Sequence, residues 1–532
     1  MRGTAPEARG TVAAGMPRGT VAVVGAGLGG MAAAIRLRQA GLEVDVFEQS
    51  DVAGGKAADI RLGGYRFDTG PSLLTMPFVF RRLFEEAGER LEDHLDLVPL
   101  EPLCTNFFPD GSVLRDSSNH ERFAHELARL SSDPAHALFR YLARGRRIYD
   151  LSAHLFLFQS LTEALLHGGV RLRDLAALPR LDALRSLHRA NAAAFRDPRL
   201  VQIFDRYATY NGSDPWRAPA TLAIVAAVEY GFGGFSVRGG IRRIPQAFEA
   251  LARKLGVRFH LGRKVERIRV DDGRARGIRV GGEEIGFDAI VTNADVLGTY
   301  RHLLAAPGDP LARRYERLEP STSGLIFLWG MRGEFPELSV SSIFFPDDYR
   351  EEFRDLFERS RCPIDPAVFV NVTSKIPGTR DAPPGRENWF VMVNAPADRG
   401  QDWTAETART RDAILARLAK TLGRDVEALI DVEEVITPVD IERRTGSTRG
   451  SLYGVASNSR LSAFLRHPNR HPRIRGLYFC GGSAHPGGGM PLVTLSGMIA
   501  ADLLLKYESD TKASRRREGT SAGRMGRRGK CL

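Results

Sequence analysis

The 532-residue sequence is poor in cysteine: Cys104, Cys362, Cys480 and Cys531 are scattered, with no CxxC pair. That usage excludes a disulfide framework and fits a reducing compartment. No histidine cluster has zinc spacing, so no metal site is expected. Long hydrophobic runs are also missing. A spanning helix needs roughly 18 apolar residues, and the nearest run, Ala220–Val228, stops at Glu229. Arg2 and Arg9 precede no apolar segment before Gly19, so no secretory signal is expected. No internal repeat of fixed period occurs.

What is present is average in bulk and unusual in detail. Apolar residues at 43% and charged residues at 26% exclude wholesale disorder. The net charge of +11 is concentrated at the ends: 506–532 carries nine Lys/Arg against three Asp/Glu, and 1–20 three Arg against one Glu. The body is nearly balanced and holds no nucleic-acid motif, so no nucleic-acid partner is expected. The ends read as disordered basic segments, 1–19 and 506–532, although Arg515-Arg516-Arg517 also suits anionic headgroups or RNA. Glycine stands out at 55 residues. Ten fall in 21–75 and seven in 476–497, which places two backbone-critical loops at opposite ends of the chain.

The first loop has a clear context. Thr20–Val24 is a short β-branched run, followed by Gly25-Ala26-Gly27-Leu28-Gly29-Gly30, a helical pattern over 31–40 stopped at Gly41, and a second strand ending at Glu48. This βαβ order makes Gly25-x-Gly27-x-x-Gly30 a dinucleotide fingerprint. Gly25 makes the tight turn, Gly27 lets backbone approach a pyrophosphate, and Gly30 packs helix on strand. Glu48 is placed to accept both ribose hydroxyls. A second glycine pair, Gly54-Gly55 followed by Lys56, and the run Gly63–Ser72 containing Gly70, have no use in a nicotinamide domain. They favour FAD, with Lys56 either adding charge at the pyrophosphate or merely solvated.

Farther along, 77–200 reads as mostly helical. Strands are expected at 257–261, 265–270, 277–280, 289–292, 321–330, 388–394 and 477–480, with Asp271-Asp272-Gly273 as a hairpin turn and a last helix over about 491–506. Two loops for one cofactor, so far apart in sequence, imply a nucleotide domain assembled from separated segments. The expected division is an α/β, Rossmann-type FAD-binding domain from 20–76, 235–295 and 471–505, with an inserted α+β substrate domain from 77–234 and 296–470.

Gly25–Gly30, Glu48, Gly54-Gly55-Lys56 and Phe67–Ser72 resemble the amine-oxidase-type flavoproteins. Arg217–Ala220, Arg238-Gly239-Gly240, Thr292-Asn293-Ala294-Asp295 and the block Gly476–Pro491 narrow the resemblance to the bacterial phytoene desaturase family of carotenoid oxidoreductases. It covers roughly 20–505. The resemblance implies that Val265 meets the adenine through its backbone and that Gly481–Pro491 wraps the flavin, so that Gly482, Ser483, Gly489 and Met490 contact it. Many amine-oxidase flavoproteins carry an acid where Gly482-Ser483 stands, which leaves Ser483 or backbone amides to do that work. His485 is either a loop-shaping residue or a catalytic, substrate-contacting one. Asp68 is read as a loop cap rather than an acid/base.

The implied activity is FAD-dependent desaturation of a linear C40 carotene, phytoene or a later intermediate such as zeta-carotene or neurosporene, with electrons passing to oxygen or a quinone. A 3,4-desaturase of a 1-hydroxycarotenoid, a carotenoid isomerase, another amine-oxidase-type oxidase and a redox-inactive prenyl-lipid escort of the same fold remain alternatives. The apolar segment 151–166, flanked by arginines, is expected either in the core or at a membrane interface. Because a carotene dissolves only in the bilayer, a cytoplasmic protein peripherally bound to the inner face of the membrane is expected.

Overall fold

A computed structural model describes residues 19–160, 163, 178–306, 308–459 and 466–525. The basic N-terminal segment, the end of the tail and most of 161–177 lie outside the described residues.

Val21–Val24 and Val44–Phe47 are buried at every position, as central strands of a parallel sheet are, and the one polar residue among them, Asp45, is hydrogen-bonded to Arg258 and His260. They form the middle of a parallel sheet ordered Leu477–Phe479, Ala289–Thr292, Thr20–Val24, Glu43–Phe47, Arg258–His260. The five strands come from three separated stretches of chain. Leu28–Gln39 covers one face and ends where expected: Gly41 adopts φ +87°, and the Leu42 N–H bonds back to the Leu37 carbonyl. Arg243–Lys254 packs beside it. So does the last helix, Met490–Met525, closely enough that a Cβ on Gly497 would run into the Gly29 carbonyl.

That last helix corrects an expectation. It continues past Lys506 to Met525 rather than giving way to a disordered tail at 506. No proline interrupts 492–525, and its continuation is docked by Tyr478 Oη donating to Glu508 (3.0 Å) and by the Arg274–Glu508 ion pair. Met490–Glu508 is long and apolar enough to cross a membrane, but two thirds of that window is buried in the protein core.

The second domain is built on a seven-stranded mixed sheet ordered Ile430–Ile436, Ser323–Arg332, Arg386–Ala395, Val368–Asn371, Ser341–Phe344, Cys104–Phe107, Val113–Asp116. Alternation divides its faces. Leu325, Phe327, Trp329 and Met331 pack with Trp389 onto Ile414 and Leu418 of the helix Trp403–Leu422. Ile326, Phe390 and Met392 point the other way, toward the first domain. The strands at 97–116 fall inside the stretch read as helical. Cys104–Phe107 is buried at every position and so carries no period-2 signature. A helical lobe (His120–Leu130, Ala135–Phe156, Leu187–Ala194, Pro198–Asp205, Ala223–Phe232) closes the sheet's end around Phe123, Tyr141, Phe204, Tyr207 and Tyr230.

The hairpin turn at 271–274 is as expected: Asp272 and Gly273 have φ of +50° and +68°, the primed geometry that joins Val265–Asp271 to Arg274–Val280. Asp68 is structural. Its carboxylate accepts from Arg66 (2.7 Å) and the Ile241 N–H (3.1 Å), and Arg66 makes two 2.7 Å bonds to Asp381. This buried cluster ties the hairpin Asp59–Leu62/Tyr65–Asp68 to the segment following the sheet strand Val368–Asn371.

Candidate active site

One cavity of about 950 Å³ runs between the two domains. Its first wall is backbone. Gly27, Gly54, Gly55, Lys56, Gly70, Gly482, Ser483, Gly489 and Met490 all line it, so nine of the expected contact residues from five chain segments meet at one surface. Gly54 and Gly55 take φ of +137° and +59°, and a Cβ on Gly55 would lie 3.5 Å from the Gly27 Cα. It is the positive φ of Gly54 and Gly55, more than lack of space, that favours glycine where these two loops face each other. Gly27 caps the helix Leu28–Gln39 with no side-chain partner, leaving the first-turn N–H groups for a ligand.

Other expected residues stand behind that wall. Gly25 (φ +95°) makes the turn, its N–H donating to the Phe47 carbonyl (2.8 Å). A Cβ on Gly30 would run into the Gly25 carbonyl, so Gly30 sets helix-on-strand packing. Glu48, which does not itself line the cavity, accepts from the Ala26 N–H (2.8 Å) and the Ser50 N–H (3.0 Å), so that its carboxylate braces the loop. Val265 is buried in its strand, while its neighbour Lys264 lines the cavity.

Sequence reasoning did not single out Asn293 as a contact, yet it is the hub of this wall. It follows the strand Ala289–Thr292, and its N–H donates to the Val24 carbonyl (2.8 Å). Its side chain lies within 4 Å of where a Cβ would stand on Gly25, Gly27, Gly29, Gly30 or Gly481. The available signal was the motif Thr292–Asp295 at a strand end facing the first glycine loop. Lys56 lines the cavity and is not merely solvated. Its ammonium is buried and donates to the carbonyls of Leu452 (2.8 Å) and Ser451 (3.3 Å), and burial lowers its pKa to about 8, with Asp295 opposing. Ser483 Oγ accepts from the Val296 N–H (3.0 Å), which leaves its hydroxyl hydrogen to donate.

Of the two roles expected for His485, its position favours the loop-shaping one over the catalytic one. His485 does not line the cavity; it is 7% exposed, and its ring Nε2 lies 2.9 Å from the Gln159 carbonyl. Burial lowers its pKa to about 4, so the neutral ring donates to that carbonyl. The His485 carbonyl accepts from Asn469 Nδ2 and Ser496 Oγ (2.7 Å each), fixing the last glycine loop from behind.

The second wall is the chamber in the other domain: Ile326, Ile343, Phe369, Phe390, Met392 and Ile436 from one face of the seven-stranded sheet, opposed by Val225 and Val228 of Ala223–Phe232.

Comparison with known proteins decides the family. Residues 28–505 match the family described as flavin containing amine oxidoreductase. The chain belongs to that family. Among its relatives, a 1-hydroxycarotenoid 3,4-desaturase of Flavobacterium sp. (strain P99-3) is 39% identical over 91% of this chain and 98% of its own. A 4,4'-diapolycopene oxygenase of Methylomonas sp. is 34% identical, covering 91% and 98%. A 4,4'-diaponeurosporene oxygenase of Staphylococcus aureus (strain USA300) is 33% identical, covering 92% and 99%. In fold, the chain is similar to putrescine oxidase (TM-score 0.59, 17% identity, covering 92% and 99%). It is also similar to cyclohexylamine oxidase from Brevibacterium oxydans IH-35A (TM-score 0.58, 18% identity, covering 93% and 100%).

The protein is therefore an FAD-dependent oxidoreductase of carotenoid-desaturase kinship. The first wall fits that cofactor on its own terms. The facing glycines make a cradle that side chains would fill. The open helix N-terminus suits a diphosphate. Arg242 (paired with Asp59 at 2.6 Å), Lys264 and Arg444 place cations on the same cavity.

Proposed function

We propose that the protein desaturates a linear C40 carotene, phytoene or a later intermediate such as zeta-carotene or neurosporene. The observation that carries this reading is the continuity of the cavity: the glycine-loop wall and the apolar sheet face bound a single space. When bound, FAD supplies the two-electron oxidant for removing hydrogen from adjacent chain carbons, and the electrons leave to oxygen or a quinone. The sheet face Ile326, Phe369, Phe390 and Met392 would hold the polyene extended and exclude water. Gly488 and Gly489 would let a flat chain pass close to the first wall without a side chain between. No histidine lines the cavity among the described residues. That is consistent with a reaction whose developing charge is delocalised along an allylic system, so that a proton leaves without a strong base. A 1-hydroxycarotenoid as substrate is the second reading, favoured by the Flavobacterium relative.

Peripheral association with the inner, cytoplasmic face of the membrane is part of the proposal. The expected contact segment 151–166 is not one helix: Ala135–Phe156 ends at Phe156, and Leu157 and Phe158 are partly buried against the core of the first domain. Its remaining residues other than Glu163 lie largely outside the described residues. The decisive experiment supplies purified, flavin-loaded protein with phytoene, zeta-carotene, neurosporene or a 1-hydroxylated carotene in liposomes. Red-shifted product absorption from one of them is expected. Unchanged spectra with all four would overturn the reading.

A further inference from the structure

Two buried ionic side chains on the chamber wall have no part in the steps above. Arg206 opens the short helix Arg206–Asn211, and Glu229 lies on Ala223–Phe232 beside Val225 and Val228. They are 4% and 2% exposed, yet both line the cavity. Each is only half satisfied. Tyr207 Oη donates to Glu229 Oε1 (2.9 Å) and the Tyr210 hydroxyl also bears on the carboxylate, while Glu229 Oε2 has no partner of full hydrogen-bond geometry. Arg206 Nη1 reaches Tyr210 Oη at 3.5 Å, and its Nε and Nη2 have no partner. The guanidinium is held over the rings of Tyr207 (5.1 Å) and Tyr210 (5.5 Å). Tyr349 Oη, on the same cavity, is unpartnered too. Asp116 completes the charge behind them, its carboxylate taken up by the Cys104 N–H (2.6 Å) and Tyr230 Oη (2.9 Å).

Leaving buried donors and acceptors unpaired is costly, and most are satisfied. Unpartnered groups of both kinds on one cavity mark a place whose partners arrive with the ligand. A hydrocarbon end supplies none and would strip any water from Arg206 and Glu229. A hydroxyl supplies a proton for Glu229 Oε2 and a lone pair for Arg206. We propose that Arg206 and Glu229, with Tyr349, form a pocket that takes a hydroxyl-bearing end of the polyene and so sets which carbons of the chain lie against the glycine loops. The proposal rests on the second reading above, a 1-hydroxycarotenoid as substrate, and adds to it the residues that would hold the hydroxylated end.

The test uses the flavin-loaded full chain and two acyclic carotenes of equal length in liposomes, one with a terminal hydroxyl and one without. Both kcat/KM and Kd, the latter from quenching of tryptophan fluorescence, should favour the hydroxylated carotene by about tenfold or more, because a site built to bond a hydroxyl leaves its own groups bare with the analogue lacking it. Glu229→Gln keeps the shape and a partner for Tyr207 but puts a donor where an acceptor is needed; it should collapse the preference in both quantities. Tyr349→Phe removes a hydroxyl with no partner inside the protein, so folding is spared, and it should narrow the preference severalfold. Equal Kd and equal conversion of the two carotenes by the wild type would overturn the pocket. So would variants that lower both substrates alike with flavin content intact. Conversion of neither carotene would instead sink the carotenoid reading, and the ratio of Kd values would still decide the pocket.

Discussion

Along the glycine-loop wall, from Gly27 through Gly55 to Gly489, a ligand meets backbone; along the wall of the second domain, from Cys104 through Arg206 to Tyr349, it meets side chains. The two walls do different work for that reason. Backbone N–H groups and a helix N-terminus recognise a feature that every dinucleotide shares, and they tolerate almost no added atoms. Side chains discriminate, and most can be exchanged without closing the cavity. Changes on the first wall should therefore remove the cofactor and all activity together, whereas changes on the second should alter which substrate is used.

The largest effect is expected where the backbone wall has no slack. In Gly30→Val the new side chain meets the Gly25 carbonyl, Val23 Cγ1 and Asn293 Cβ, none of which moves without shifting strand or helix. Overpacking of that kind should cost about 3 kcal/mol or more, and the purified protein should carry little flavin by absorbance. Gly27→Ala is the sharper control. Its Cβ would approach only Asn293 Nδ2 (2.7 Å), the far end of a side chain, so the fold should survive with weakened flavin retention. Full flavin occupancy in Gly30→Val would break the distinction between the walls.

A smaller effect is expected where the walls meet. Gly488 lines the cavity, and a Cβ there would lie 2.7 Å from the Tyr453 ring. Gly488→Leu should displace that ring or occupy the path of the polyene. A misplacement of about 1 Å in a reacting chain is enough to cost about a hundredfold in turnover, and flavin should stay bound because the facing glycines Gly27 and Gly55 are untouched. Wild-type turnover in this variant would show that the substrate does not pass Gly488.

The same contrast explains what the sequence made legible. The backbone wall announces itself because glycine is the only residue that permits it: Gly25–Gly30, Gly54-Gly55 and the 481–489 run are contiguous and sit at strand–helix junctions. The family resemblance at Gly476–Pro491 rests on the same kind of signal. Asn293 was harder to find, since an asparagine after a strand is common and its role depends on loops distant in sequence. The polar pocket was invisible. Asp116, Arg206, Glu229 and Tyr349 are single residues on four elements, and Glu229 reads in sequence merely as the end of an apolar run. The strands of the second domain were partly missed for a related reason: short strands such as Cys104–Phe107 and Ser341–Phe344, buried on both faces, carry no alternation.

The smallest effect on activity is expected at His485, which stands behind the backbone wall rather than on either surface of the cavity. Its pKa is lowered to about 4 by burial, and its neighbours His467 and His471 are lowered to about 3 and about 4 for the same reason. An imidazole in the unfolded chain titrates near its ordinary value of about 6.5. Between those values the unfolded state binds the proton and the folded state does not. The stability held by each neutral ring is therefore complete above about pH 6.5 and is lost as pH falls toward the folded value. By pH 5.5 each ring should have cost about 1.4 kcal/mol, so the urea midpoint should drop clearly between pH 7.5 and pH 5.5. His485→Gln keeps a donor for the Gln159 carbonyl and has nothing to titrate. It should remove one ring's share of that pH dependence while retaining flavin and most of the turnover. If turnover instead collapses with flavin and stability in place, His485 reaches the substrate after all, and the division between a backbone wall that holds and a side-chain wall that selects would have to be redrawn around it.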